Sequence, residues 1–352
     1  MYEKETSEAI EILKSMISIP SFSRDEKNLA DFLENYIKEK GFSSKRIENN
    51  ILLFADSFDP SRKSLLLNSH IDTVKPVSGW NLDPFTPTEK DGKLFGLGSN
   101  DAGASLVALL ETFFILNNKK LAYNLIFLAS AEEEVSGKNG MELAINELPV
   151  IDLAVVGEPT EMKLAVAEKG LMVLDCVSRG KAGHAARNEG ENAIYKALKD
   201  IDWFKKYTFD KISPFLGQVK MSVTQINAGT QHNVIPDECK FIVDVRSNEL
   251  YTNEELLSII KENTTSEVNA RSTRLSSSKT AENHPIIKKA KELNIEMFGS
   301  PTLSDQSLMP FNSVKIGPGK SERSHTADEF ICKNEIQNAI ETYVELLENL
   351  EL

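Results

Sequence analysis

Four apolar runs, at residues 51–55, 64–69, 125–130 and 153–156, are each short and bounded by turn residues. Helical patterns near 104–117 and 139–147 separate them. Strands that are apolar along their whole length need cover on both faces. Helices alternating with strands supply that cover, so this part of the chain is expected to form a mostly parallel α/β sheet. An earlier helix is expected after Ser23-Arg24-Asp25-Glu26, which reads as a capping box. Leu29, Phe32, Leu33, Tyr36 and Ile37 recur behind it at helical spacing, and Gly41 supplies a stop. Sheets of this class place their sites just beyond the carboxyl ends of strands, where His70, Glu133 and Glu158 fall.

From about residue 166 the pattern changes. Val219, Met221 and Val223 alternate with Lys220, Ser222 and Thr224, and Phe241, Val243 and Val245 alternate with Asp244 and Arg246. Strict alternation means strands with one wet face. With helices near 191–206 and 253–264, the second carrying Leu256, Leu257, Ile259 and Ile260, the expected order is βαββαβ, a small ferredoxin-like α+β sandwich. Helical character resumes near Pro285 and ends in an amphipathic helix around 335–350. A chain of 352 residues exceeds one ordinary core. The simplest account is a catalytic domain over 1–165 and 279–352, interrupted by an inserted domain over 166–278.

Charge narrows the partners. Lys plus Arg against Asp plus Glu gives 40 − 53 = −13, which disfavours nucleic acid and anionic membranes. The start, from Met1 to Thr6, lacks the basic-then-apolar layout of a secretory signal, and the apolar stretch 106–116 is too short to span a bilayer. Cys176, Cys239 and Cys332 are odd in number with no CxxC, as expected for reduced thiols in a cytoplasmic protein.

Chemistry concentrates in one series: His70-Ile71-Asp72, Asp101, Glu132-Glu133-Glu134, Glu158 and, far downstream, His325. The chain has only five histidines, and two of them open and close this series. Imidazoles at the outer positions with carboxylates between them suit two divalent ions about 3.5–4 Å apart, joined by one bridging carboxylate. Asp101, in Gly96-Leu97-Gly98-Ser99-Asn100-Asp101, is the candidate bridge, because flanking glycines let backbone crowd close. Asp72, two residues from His70, can take the second imidazole N–H and fix the tautomer. Of adjacent glutamates, one can bind metal while its neighbour moves a proton. Oxygen and imidazole donors without thiolate suit zinc, with cobalt or manganese as alternatives. Singly, each piece has a plain reading: a Glu triplet is usually a solvated helix end, and Gly157-Glu158-Pro159 is only a turn. Their ordered conjunction is what points to a site.

These segments resemble a metallopeptidase family that includes aminoacylases, acetylornithine deacetylases, succinyl-diaminopimelate desuccinylases and carboxypeptidase G. Ser69-His70-Ile71-Asp72-Thr73, Gly96-x-Gly98-x-x-Asp101, Glu133-Glu134-Val135-Ser136-Gly137, Val156-Gly157-Glu158-Pro159-Thr160 and Ser324-His325-Thr326 match its motifs in order. The resemblance implies His70, Asp101 and Glu158 on one metal and Asp101, Glu134 and His325 on the other, with Asp72 orienting and Glu133 as general base. It also implies a cis peptide at Asp101–Ala102. Three departures stand out: Glu132 where the family commonly has Asp, which leaves a 132/133 pair open; Leu97 in place of Arg; and Ala102-Gly103-Ala104 in place of Met-Lys-Gly.

In the inserted domain Gly180-Lys181-Ala182-Gly183-His184-Ala185 is similar to the family's lid motif. That likeness implies that His184 polarises the scissile carbonyl in a neighbouring subunit, hence a homodimer. The segments Asn233-Val234-Ile235-Pro236 and Asp244-Val245-Arg246 resemble ones with which the family grips its substrate, which implies Asn233 as a substrate contact and Arg246 as a bidentate carboxylate clamp. Gly317 and Gly319 could offer backbone N–H groups to a carboxylate. Asp305 resembles a position near the substrate, and His232 and His284 read as surface residues. The stretch 157–164 and Glu168-Lys169-Gly170 look most like short acetylornithine deacetylases, so the expected activity is hydrolysis of N-acetyl-L-ornithine in arginine biosynthesis. N-acetyl- or N-succinyl-citrulline, succinyl-diaminopimelate and small peptides remain open as substrates, as does a non-enzymatic binding relative.

Overall fold

The strand Ser64–His70 is buried at every position, and so is its neighbour Asn124–Ser130. Their apolar residues, 65–67 and 125–129, fall on both faces, so neither face can be left to water. The computed structural model, which describes residues 1–187 and 189–352, shows how they are covered. The strands run in the order Ser44–Ile47, Asn50–Phe54, Asn124–Ser130, Ser64–His70, Leu153–Val156 and Ser313–Lys315. The first two pairings are antiparallel, and the four strands from Asn124–Ser130 onward lie parallel to one another. Three of the central strands therefore end side by side, and their carboxyl ends carry the chain into His70, Glu133 and Glu158.

The helix Ala104–Asn117 is mostly apolar and buried on nearly every side, Ser105, Glu111 and Thr112 included, which places it in a core. It packs against the helices Glu3–Ile17 and Lys333–Leu347. Together with the preceding turn it spans Ser99–Asn117, 19 residues, long and apolar enough to cross a membrane on length and composition, a correction to the sequence estimate. With 83% of its apolar window buried inside the protein, it is accounted for as a core helix. On the sheet, Leu52, Leu66, Ile126, Leu128, Ala154 and Val156 close over Met141, Ala144 and Met309. The expected helix near 139–147 is one short α-helical stretch, Met141–Ala144, continued as a 3-10 turn.

The capping box at Ser23 does not form. The Ser23 hydroxyl donates to Asp72 Oδ2 at 2.7 Å, and Glu26 instead accepts the backbone N–H of Arg24 and of Glu132. The helix starts at Lys27 with no side-chain cap, because both capping groups are drawn inward to buried partners. Gly41 does end the region, at φ +91°.

The chain divides into two compact units: Met1–Val166 with Lys279–Phe298 and Ser304–Leu352, and Ala167–Ser278 with Gly299–Leu303. The second unit follows the βαββαβ order. Its sheet runs Lys220–Ala228, Glu238–Ser247, Gly170–Arg179, Glu267–Ala270, all antiparallel. Residues of Gly170–Arg179 alternate buried and half-buried, and the helices Ala193–Lys206 and Asn253–Asn263 cover the buried face through Ala197, Phe204, Leu256 and Ile260. A capping box at Thr252 and Glu255 begins the second helix.

Candidate metal centre

His70 is the last residue of its strand, and its ring is held from behind. Nδ1 donates to the backbone carbonyl of Asp72 at 2.9 Å, while the Asp72 carboxylate stands 3.5 Å away. The tautomer is thus fixed chiefly by a carbonyl, not by the carboxylate the spacing suggested. With the proton on Nδ1, the Nε2 lone pair is the one a cation would take. Nε2 lies 3.3 Å from Asp101 Oδ1 and 3.7 Å from Glu158 Oε1. His325 brings its Nε2 to 3.0 Å from Glu134 and 3.6 Å from the other oxygen of Asp101.

Two donor groups result, His70–Asp101–Glu158 and Asp101–Glu134–His325, with the atoms of each within 4.8 Å of one another. Two ligands bonded to one zinc at about 2.1 Å in tetrahedral geometry are about 3.4 Å apart. The observed separations bracket that value, the donors are imidazole and carboxylate with no thiolate, and Asp101 faces both groups with separate oxygens. The residues present therefore fit a pair of divalent ions sharing one carboxylate. The peptide bond between Asp101 and Ala102 is cis.

Electrostatics agree with the geometry. Burial pushes Glu158 up to about 8 and Glu133 well above the carboxylate range, with neighbouring carboxylates adding to both. His325 rises to about 9 through its hydrogen bond to Glu134. Burial works against protonated His70, yet the Asp101 and Asp72 carboxylates overcome it and raise the imidazole. Burial likewise opposes ionised Asp101, but His70 holds it below its usual value. So much like charge in one place is relieved either by protons or by cations.

The Asp72 carboxylate has a second task. Oδ1 accepts the backbone N–H of Glu133 at 3.0 Å, and Oδ2 accepts those of Glu134 at 3.1 Å and the Ser23 hydroxyl. One buried side chain thereby shapes the turn that presents both glutamates. Glu132 is excluded from the working pair, because its carboxylate is buried and accepts from Asn139. Glu133 and Glu134 are the residues that face the site, with Glu133 Oε2 3.9 Å from His70 Nε2.

Two residues of this centre are not apparent from composition or spacing alone. Glu329 accepts the backbone N–H groups of Gly98, Asn100 and Asp101, and Asn100 ties the same loop to Lys320 and Ser324. The available signal was a carboxylate four residues after His325, directly before the apolar strand Phe330–Cys332.

Other candidates are placed differently. The N–H of Gly317 is given to Thr160 Oγ1 at 3.0 Å, so it is not free for a substrate carboxylate. Its lack of a side chain matters for packing, since a Cβ there would sit 2.4 Å from Ser105 Oγ and 2.5 Å from the Glu158 carbonyl. Gly319, at φ +87°, packs against Asn100. Asp305 is buried, accepts the Ser130 hydroxyl at 2.6 Å and is pushed up to about 6 by burial. In the second unit, Arg246 does not present a free fork: Nε and Nη2 both bond Asp244, at 2.9 and 3.1 Å. Asn233 is exposed, and its carbonyl accepts the N–H of Ala185. His184 is exposed, with Nδ1 accepting the N–H of Ala186 at 3.1 Å. His232 is exposed, whereas His284 is half-buried and caps the helix Pro285–Glu292.

A sequence profile for peptidase family M20/M25/M40 matches residues 66–349. The chain is 29% identical to acetylornithine deacetylase of Proteus mirabilis over 380 aligned positions, covering 97% of this chain and 96% of that protein. It is 30% identical to succinyl-diaminopimelate desuccinylase of Sulfurimonas denitrificans over 269 positions, 72% of each. Among solved structures, the aminopeptidase PepT of Bacillus cereus matches with a TM-score of 0.79 and 18% identity, covering 97% of this chain and 98% of that one, a likeness of fold.

Proposed function

The chain belongs to peptidase family M20/M25/M40, a family of metal-dependent hydrolases, and from that premise we propose that it cleaves the amide of an N-acyl-L-amino acid, with N-acetyl-L-ornithine as the first candidate. The observation that carries the reaction class is the pair of donor groups sharing Asp101. Likeness to the Proteus mirabilis acetylornithine deacetylase across nearly the full length of both chains favours the substrate. An N-succinyl amino acid is the second reading, favoured by the likeness to the desuccinylase.

In this reading His70, Asp101 and Glu158 hold one ion and Asp101, Glu134 and His325 the other, zinc first, then cobalt or manganese. Bound there, the ions would acidify water toward neutral pH and polarise the amide carbonyl. Glu133, whose Oε2 lies 3.9 Å from His70 Nε2, takes the proton of the attacking water and delivers it to the leaving nitrogen. Asp72 keeps Glu133 in place through its backbone N–H. His184, whose Nδ1 accepts a backbone N–H, carries its neutral-form proton on Nε2 and so has a donor for a developing oxyanion. We assign that donor to a second copy of the chain. The edge strand Lys220–Ala228, with Ile226 55% exposed, and the outer face of Ala193–Lys206, with Tyr195 69% and Leu198 50% exposed, form the surface on which a homodimer would build. Three free cysteines accord with a reducing cytoplasmic compartment for the enzyme.

The test is amine release from N-acetylornithine, N-acetylcitrulline, N-succinylcitrulline, N-succinyl-diaminopimelate and a dipeptide, with zinc or cobalt added. Turnover of N-acetylornithine above the others, abolished by chelator, supports the first reading. Turnover confined to a succinyl substrate replaces it with the second. Silence across the panel, with both metals bound, removes the substrate assignment.

A further inference from the structure

We propose that Glu329 is a positioning residue that locks the bridging carboxylate Asp101 to the loop bearing His325, and so sets the affinity of the second metal locus; the proposal rests on the two-metal reading above. Its carboxylate is 2% exposed and lies under the turn that delivers Asp101. Oε1 accepts the N–H of Asn100 at 2.8 Å and of Asp101 at 3.0 Å, and Oε2 accepts that of Gly98 at 3.1 Å. The backbone carbonyl of Glu329 accepts a fourth, from Gly96 at 3.0 Å. A buried carboxylate that accepts converging N–H groups makes charge-assisted bonds, shorter and stronger than neutral ones, when it is ionised, the state that cations held beside Asp101 would favour.

Position in the chain gives these bonds a consequence beyond stability. His325 and Glu329 belong to one loop, while Asp101 belongs to another more than two hundred residues away in sequence. The two ligands His325 and Asp101 must stand within a few tenths of an ångström of productive geometry to share an ion. Asn100 reinforces the junction by donating to the Lys320 carbonyl at 3.0 Å and accepting the Lys320 N–H at 3.0 Å. Asp72 performs the corresponding task on the other side, gathering the N–H groups of Glu133 and Glu134. Each histidine loop thus carries a carboxylate that shapes a loop supplying carboxylate ligands.

A carboxylate with the same backbone-gathering habit but no such connection exists in the second unit. Asp200 is buried and accepts the N–H of Thr265 and of Ser266, partners that lie within the second unit. It is the control for a merely structural role. The experiment is cobalt titration of the chelator-treated full-length protein, followed by visible absorbance, with urea midpoints for each variant. Glu329→Gln is expected to weaken one of the two cobalt sites by about 10–100-fold, the cost typical of groups that orient ligands. Asp200→Asn is expected to lower the urea midpoint with cobalt affinity unchanged. Wild-type affinity at both sites in folded Glu329→Gln overturns the proposal. Should that variant fail to fold, Glu329→Asp keeps the charge with a shorter reach, and wild-type affinity in it overturns the proposal equally. A wild-type protein that takes no second cobalt sinks the two-metal reading itself and this inference with it.

Discussion

Replacing Asp72 by Asn tests whether one buried carboxylate governs the general base. The side chain is 1% exposed and accepts three hydrogen bonds. In Asp72→Asn the new amide oxygen best takes the place of Oδ2, where it keeps both the Ser23 hydroxyl and the Glu134 N–H. The amide NH2 then faces the N–H of Glu133, formerly 3.0 Å from Oδ1. One buried donor loses its acceptor and meets another donor, which costs about 1–3 kcal/mol of stability. The loss falls on the residue that moves the proton, so a displacement of about 1 Å there lowers kcat by about 100-fold while KM changes little. Ser23→Ala removes only the hydroxyl's bond to Oδ2 and leaves both glutamate N–H groups held, so its kcat stays within a few-fold of wild type. Urea unfolding together with steady-state amine release measures both quantities. A folded Asp72→Asn protein with wild-type kcat would refute the argument that Asp72 acts by shaping the Glu133 turn.

Glu133→Gln should retain both metals and lose about 10²–10⁴ in kcat, the range for a missing general base; wild-type turnover would move the base elsewhere. Gly317→Ala should lower activity and stability together, because its Cβ would meet the Glu158 carbonyl at 2.5 Å and backbone cannot yield cheaply; unchanged activity counts against that packing. In chelator-treated protein, Glu158 and Glu329 are raised from 4.5 to about 8 and His325 from 6.5 to about 9. Each binds more protons folded than unfolded, so their stabilising contribution is present at low pH and lost as pH climbs from about 5 to 9. The urea midpoint should fall across that window and flatten when zinc is added; a midpoint that rises from pH 6 to 8.5 without metal contradicts it. Ile226→Asp together with Tyr195→Asp should shift the protein toward monomer in light scattering; an unaltered mass places any dimer contact elsewhere.

Part of the fold and of the candidate centre is legible in the sequence. The four apolar runs emerge as strands within a residue or so, because continuous burial leaves a plain mark, and among the candidate donors His70 was marked as a scarce histidine closing a strand. What escaped was the choice of partner, in some cases a backbone atom and in others another side chain. Nothing in the sequence says that Ser23 turns inward to Asp72 rather than capping its own helix, or that Glu329 gathers the N–H groups of residues 98–101. Spacing likewise could not tell that the His70 ring leans on a carbonyl, or that Asp244 occupies the Arg246 fork. The Ser23 and Glu329 contacts join distant loops and depend on tertiary placement, which short-range patterns do not record; for residues two apart, spacing brings the groups near but does not say which atom is taken.

The shared role of Asp101 is the centre of the account, and counting metal tests it most directly. Purified protein would be equilibrated with zinc, freed of excess, and its metal content measured beside that of Asp101→Ala. Two zinc ions per chain, with loss of both or of all tight binding in Asp101→Ala, is the predicted result. One zinc or none in the wild type, or two retained in Asp101→Ala, would contradict it.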